Sequence, residues 1–361
     1  MKRSLTEQYS YYYAPFIKEN YLEDEAIFRT LFQKTWFVIL MLAVLIVPPF
    51  LSDYYVFFLT LVFIAIIGGH GLNILMGYTG QISIGHAAFL GVGGYTYSYL
   101  VMVLDWPFWL AIPGSGLVAA GVGLIIGIPS LRIKGIYLAV ATIAFQFIAD
   151  YTYFHWTGFS GGPQGRVVEA PNLFGVALTS RISFYYICVI LVVFLLWGAK
   201  NLMRSKYGRC LMAVRDNDIS AEAIGVPVFK YKLLAFCISS FYAGVAGSLF
   251  VIHLRNVFPD FFHLNVSIEY LAMIIVGGMG SIIGTIFGAI FIVIIPEVLT
   301  NIVRLLAQIT QSTELTLVMA PLRLVVHGAL IILFILIEPA GLAGIWRRVS
   351  SYWKIWPLPY I

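Results

Sequence analysis

From Tyr54 to Leu104 the chain runs without a single Asp, Glu, Lys or Arg. A stretch that long and that free of charge belongs where water is excluded, either in lipid or in the interior of a bundle. Yet its middle reads GYTGQISIGHAAFLGVGGY, Gly77 to Tyr95, rich in glycine and carrying Gln81, Ser83 and His86. Glycine weakens a helix by about 1 kcal/mol relative to alanine, and buried polar side chains need partners. The segment therefore predicts a broken helix around Gly77, Tyr78, Gly80, Gln81, Ser83, Gly85 and His86. Irregular backbone at membrane depth is tolerated only when it is buried in protein or lines a cavity.

Composition extends that constraint to the whole chain. Its 361 residues are 60% hydrophobic and 11% charged, with mean hydropathy +0.91, against about 25% charged residues in soluble domains. Continuous apolar runs such as Phe184 to Ala199 exceed the alternating strands of about 10 residues that a barrel uses. The fold class is an all-α polytopic membrane protein, a helical bundle of about 8–10 transmembrane helices with broken or re-entrant glycine-rich segments.

Apolar runs predict spans near 36–51, 55–76, 83–104, 108–130, 136–154, 182–199 and 233–254, a glycine-broken stretch at 268–298 and a last span near 322–338. Taking the broken stretch as two short or re-entrant crossings gives ten, with both termini on one side, and a count of eight gives the same sidedness. That side holds 17 of the 22 Lys and Arg residues, which makes it cytoplasmic by the positive-inside rule. The expected organisation is a cytoplasmic arm at 1–35, a transmembrane domain at 36–345 containing a basic cytoplasmic loop at 200–232, and a cytoplasmic tail at 346–361. The net charge of +5 is thus a matter of topology, and no nucleic-acid partner is expected. The arm, with five basic and five acidic residues among aromatics, suits either a membrane-surface segment or a disordered one. It lacks an apolar core behind its basic pair and does not read as a secretory signal. Cys188, Cys210 and Cys237 have no metal or disulfide spacing and read as small core residues. The loop 157–181 is the longest expected outer connection, and its glycines and prolines predict a structured docking surface.

A second glycine-rich segment, Ile268 to Ile290, contains Gly277, Gly278, Gly280, Gly284 and Gly288. Close helix packing through a small-residue face and direct substrate contact are both open for it. For Gly77–His86, pathway lining and internal repair of a kink are both open; His86 reads as a hydrogen-bonded bundle residue before a ligand or proton carrier. Asp53, Asp105, Asp150, Glu269, Glu297 and Glu338 fall at or near predicted span ends, which argues against a proton- or ion-driven carrier.

Energy must enter elsewhere, and the loop 200–232 offers a site. Asp218 is expected to cap a short helix through Ala223, with Gly225 as its stop, Pro227 barring continuation, and Ser220, Ala221 and Ala223 as a small-residue core. The plain alternative is a solvated basic loop that sets topology. No phosphate-binding G-x-x-x-x-G-K-[ST] loop, paired carboxylates, His cluster or Ser/His/Asp set occurs, so the chain reads as a non-enzyme without cofactor or metal, and any ATP is hydrolysed by a partner.

These three segments, GYTGQISIGHAAFLGVGGY, YGRCLMAVRDNDISAEAIGV and VGGMGSIIGTIFGA, resemble the M-type permease subunits of bacterial high-affinity branched-chain amino acid ABC importers, in the family's order and spacing over about 36–345. The resemblance implies a heterodimer with a second homologous permease in lipid, two ABC ATPase subunits beneath it and a periplasmic substrate-binding protein above it. It gives Arg215, Asp216, Asn217, Asp218, Ser220, Ala221, Glu222, Ala223 and Gly225 the role of the ATPase-coupling segment, similar to the EAA loop of ABC importers. Two departures stand out: the N-terminal arm is longer and more aromatic than the family's, and SGGPQG at Ser160–Gly165 replaces a Thr-Gly-Gly type sequence. The same machine carrying urea, amides or aromatic and other carboxylates is the alternative cargo, and a stand-alone secondary carrier the alternative class.

Overall fold

A computed structural model describes residues 31–130, 135–173, 176–177, 180–310 and 325–355, apart from 327, 330, 335 and 339. The expected arm up to residue 30, Arg132, Lys134 and the end of the tail beyond 355 lie outside the described residues.

The described residues are mostly helical. Helices α1 (Leu31–Ile46), α2 (Asp53–Met76), α3 (His86–Met102), α4 (Phe108–Ser130), α5 (Ile136–His155) and α6 (Arg181–Arg204) are followed by two short ones, α7 (Lys206–Asp216) and α8 (Asp218–Ala223). After them come α9 (Val228–Leu254), α10 (Leu264–Gly277), α11 (Ile282–Thr310) and α12 (Gly341–Ile355). Among the described residues, six stretches are long and apolar enough to cross a membrane: α2, Phe108–Pro129, α6, α9, Pro259–Gly277 and Ile282–Ile302. Helices α1 and α3, of 16 and 17 residues, together with α5 and helical turns among 325–337, occupy the other expected crossings. The glycine-broken stretch is two helices, α10 and α11, joined at 278–281.

Helix α9 is the hub, packed on α2, α3 and α4. Ala235, Phe236, Ala243, Ala246, Leu249 and Val251 are fully enclosed along it. Its small residues let backbones touch: a Cβ at Gly93 of α3 would lie 2.1 Å from the Gly244 carbonyl oxygen, and one at Gly247 would lie 1.9 Å from that of Leu90. Lipid supplies no hydrophobic drive between helices, so such close contact is how they gain attraction. Bulky apolar side chains point outward elsewhere, among them Ile125, Tyr137, Ile148 and Ile190, as a lipid-facing surface requires.

One end of the bundle carries the structured loop. Strands β1 (Arg166–Val167) and β4 (Asn256–Val257) pair antiparallel, and β2 (Asn172–Leu173) pairs with β3 (Val176–Ala177). In SGGPQG, Gly161 and Gly165 have φ of +82° and +63°, and a Cβ at Gly165 would sit 2.0 Å from the Val257 carbonyl oxygen. The run is therefore a turn fitted against β4.

The acidic residues need one correction. Asp53 opens α2 and Asp105 follows α3, as expected, but Asp150, Glu269 and Glu297 lie within α5, α10 and α11. Each is engaged. Gln146 donates to Asp150 at 2.9 Å, and Asp150 faces His263 at 3.5 Å; the Tyr54 hydroxyl donates to Glu297. Tyr54 stands in the first turn of α2, so Glu297 is level with the loop end of the bundle.

Candidate coupling site

At the opposite end, the segment expected to be a basic loop is nearly all helix. The Ser205 hydroxyl accepts from the Tyr207 amide and starts α7. Asn217 then breaks the run in extended backbone, with φ −162° and ψ 115°, and its Oδ1 accepts from the Ser220 amide at 2.9 Å. The cap of α8 is thus Asn217 and not Asp218: a capping side chain must come from the non-helical residue before the first turn. Asp218 is the first helical residue, and its carboxylate pairs with Lys232 Nζ on α9.

Gly225 ends α8 as expected, at φ +88°. The Val226 amide reaches back to the Ala221 carbonyl at 3.0 Å, closing the last turn around a left-handed residue. The expected small-residue core is reduced to one member. Ala221 is buried, whereas Ser220, Glu222, Ala223 and Gly225 are exposed. Ile219 and Ile224 are each 76% exposed, so α8 presents two large apolar side chains flanking Glu222.

Beneath this elbow lies the glycine loop after α2. Arg215, in the last turn of α7, donates from Nη1 to the Gly77 carbonyl at 2.8 Å. Asn73, buried in the last turn of α2, accepts from the Gly280 amide at 2.8 Å and donates to the Ser281 carbonyl at 3.1 Å. A Cβ on Gly77 would fall 2.0 Å from Asn73 Oδ1 and 2.4 Å from the Gly280 nitrogen. Gly80, at φ +71°, passes under the stem of Arg215, and Gln81 donates to the Lys232 carbonyl at 3.1 Å. A polar cleft of about 390 Å³ opens here, between Thr79 and Gly80 on one side and Arg215, Asp216 and Asn217 on the other. Tyr78 is buried beside it, and burial pushes its phenol up to about 12, outweighing the opposite pull of Arg215.

The remaining residues of the opening segment serve the start of α3. Its first amides have no intrahelical partner and are met from other helices. Ile84 donates to Thr142 Oγ1 at 3.0 Å, Ala87 to Ser267 Oγ at 2.8 Å and Ala88 to Gln146 Oε1 at 2.8 Å. A Cβ at Gly85 would lie 2.2 Å from the Thr142 carbonyl oxygen. His86 is hydrogen-bonded to the Gly68 carbonyl at 2.9 Å, and Ser83 is buried nearby. This half of the segment repairs a kink.

In the second glycine-rich segment, Gly277 faces Gly284, and Gly288 faces the Met273 carbonyl, so α10 and α11 meet through small residues. Gly280 is not on that helical face. With Gly278 it forms the turn itself, at φ +74° and +111°. The structure thus unites Gly77, Gly80, Gln81, Gly280 and Arg215 in one site, and leaves Ser83, Gly85 and His86 in a separate network. Asn73, Thr142, Gln146 and Ser267 escaped the sequence reading; their one signal is a polar side chain inside an apolar run. Among the described residues no cluster of three His, Cys, Asp or Glu could hold a metal ion.

Comparison with known proteins adds to this geometry. The family described as "Branched-chain amino acid transport system / permease component" matches residues 54–335. The high-affinity branched-chain amino acid transport system permease protein LivM of Escherichia coli K12 is 32% identical over 296 residues, covering 75% of this chain and 70% of the relative. The probable branched-chain amino acid transport permease protein LivM of Methanocaldococcus jannaschii is 23% identical over 236 residues, 64% of this chain and 67% of that one. The autoinducer 2 import system permease protein LsrC of Escherichia coli O9:H4 is 29% identical over 154 residues, 40% of this chain and 42% of the relative. No solved structure matches.

Proposed function

This chain belongs to the permease-component family of branched-chain amino acid transport systems, and from that premise we propose that it is the M-type permease of an ATP-driven importer for leucine, isoleucine, valine or a related amino acid. It works as a multi-pass bacterial inner-membrane subunit paired with a second homologous permease, with both termini cytoplasmic. The α7–α8 elbow docks on one of two partner ATPases, and a periplasmic binding protein delivers substrate to the opposite end, against the loops around β1 and β4. The chain itself is non-catalytic.

The observation that carries this reading is α8. A six-residue helix capped by Asn217, stopped by Gly225 and pinned to α9 through Asp218 and Lys232 holds Ile219 and Ile224 out of the protein. A short helix has little stability of its own, and exposed apolar side chains beside a carboxylate suit a protein partner. Transport follows by alternating access. ATP and the loaded binding protein favour different states of the bundle, because a ligand shifts a conformational equilibrium only by its differential affinity.

The partial match to a permease for autoinducer 2 supports a second reading in which the same machine carries a different cargo. Under either reading the binding protein, which captures the cargo first, sets the selectivity. Mass spectrometry of the complex purified in mild detergent tests the assembly. Two ATPases and a second permease are expected, and a chain that purifies alone yet still transports would refute it.

A further inference from the structure

We infer that Arg215 and Asn73 are positioning residues that bolt the coupling elbow to both glycine turns, so that the elbow, the end of α2 and the α10–α11 junction move as one unit. This rests on the importer reading above. Helix α8 is joined covalently to α6 through α7 and to α9 through Pro227, and these are the obvious routes for a push delivered by an ATPase. The hydrogen bonds describe another route.

Both polar atoms of the Asn73 amide are committed across 207 and 208 residues of chain, to the Gly280 amide and the Ser281 carbonyl. The two turns are therefore tied backbone to side chain, with no room for a Cβ on Gly77 between them. Arg215 then fastens the elbow to that pair. Its Nη1 meets the Gly77 carbonyl at 2.8 Å, and a Cβ on Gly280 would lie 2.8 Å from the same nitrogen and 3.0 Å from the same carbonyl oxygen. The guanidinium, the end of α2 and the turn after α10 converge on one point. Gly77 lies just past the last residue of α2, where helix carbonyls lack intrahelical partners and carry the negative end of the helix dipole. A cation is the partner such a carbonyl favours, and a charge-assisted bond there is stronger than a neutral one. The Asp218–Lys232 pair and the bond from Gln81 to the Lys232 carbonyl close the frame on the α9 side.

A displacement of α8 therefore reaches α2, α10 and α11 at once through Arg215, and not only along the chain through α6 and α9. Arg215 spends its guanidinium on the Gly77 carbonyl, and its part in coupling is to transmit and not to dock.

The test uses the assembled complex in proteoliposomes with binding protein and ATP. Amino acid imported per ATP hydrolysed is expected to fall about tenfold in Arg215→Gln, a typical size for coupling between sites. Arg215→Lys, which keeps a donor and the charge, should recover part of the loss. An unchanged ratio in Arg215→Gln overturns the inference, as does an equal loss in Arg215→Lys and Arg215→Gln. A second measurement avoids altering the bolt. Spin labels at Tyr207→Cys on α7 and Met279→Cys in the turn, with Cys188, Cys210 and Cys237 replaced, report their separation in nucleotide-free and ATP-trapped complexes. A constant distance is expected, and a changed one overturns the rigid unit. Failure of wild-type uptake with ATP would instead strike the importer reading.

Discussion

At the scale of single residues, the chain's abundant glycine divides into positions that permit contact and positions that do not matter. Gly247 touches the Leu90 backbone, where a Cβ would sit 1.9 Å from the carbonyl oxygen, whereas a Cβ at Gly121 meets nothing within 4 Å. Gly247→Ala should destabilise the protein by about 1–3 kcal/mol through overpacking, read as a lower unfolding temperature in detergent. Gly121→Ala, within α4, should be neutral or stabilising by up to about 1 kcal/mol, the helix propensity difference. A reversed order of the two would refute this assignment of packing. Sequence alone shows that the glycines are many but not which ones touch backbone, because the opposing atom lies on another helix. The same limit hid Asn73: an amide in an apolar run needs a partner, but its partners stand 207 and 208 residues away.

Local rules carry further at the scale of elements. The break after α2, where Gly80 has a positive φ, the stop at Gly225 and the division of α10 from α11 were all legible, since glycine at positive φ and proline after a helix act on neighbouring residues. The cap of α8 was misread by one residue because both Asn217 and Asp218 favour helix starts; only the backbone decides between them. The helix α7 went unread because its sequence is too polar to stand out as a span. Glu222 is exposed between Ile219 and Ile224, so Glu222→Lys should leave folding intact while uncoupling ATP hydrolysis from uptake. Membrane vesicles carrying the variant should accumulate less amino acid while hydrolysis continues, and unchanged uptake would count against α8 as the lever. Gly225→Ala, which places a Cβ at φ +88° where nothing crowds it, should cost about 1–2 kcal/mol of local strain and weaken the same coupling, read in the same vesicle assay.

For the whole molecule, composition and run length decided the class early, because lipid admits few backbone solutions, while the family rested on the resemblance of three motif segments. What stayed open was how the glycine-rich segments divide their work. The structure separates them into a kink repair at the start of α3, a packing seam between α10 and α11, and a shared site beneath the elbow. Under the proposed importer reading, that last site joins the coupling elbow to the membrane helices. The measurement that tests the account most directly is leucine uptake into proteoliposomes containing the purified complex, with binding protein outside and ATP supplied to the ATPases. The account predicts accumulation that requires both ATP and the binding protein, and that falls sharply in Glu222→Lys; uptake of equal size without ATP would contradict it.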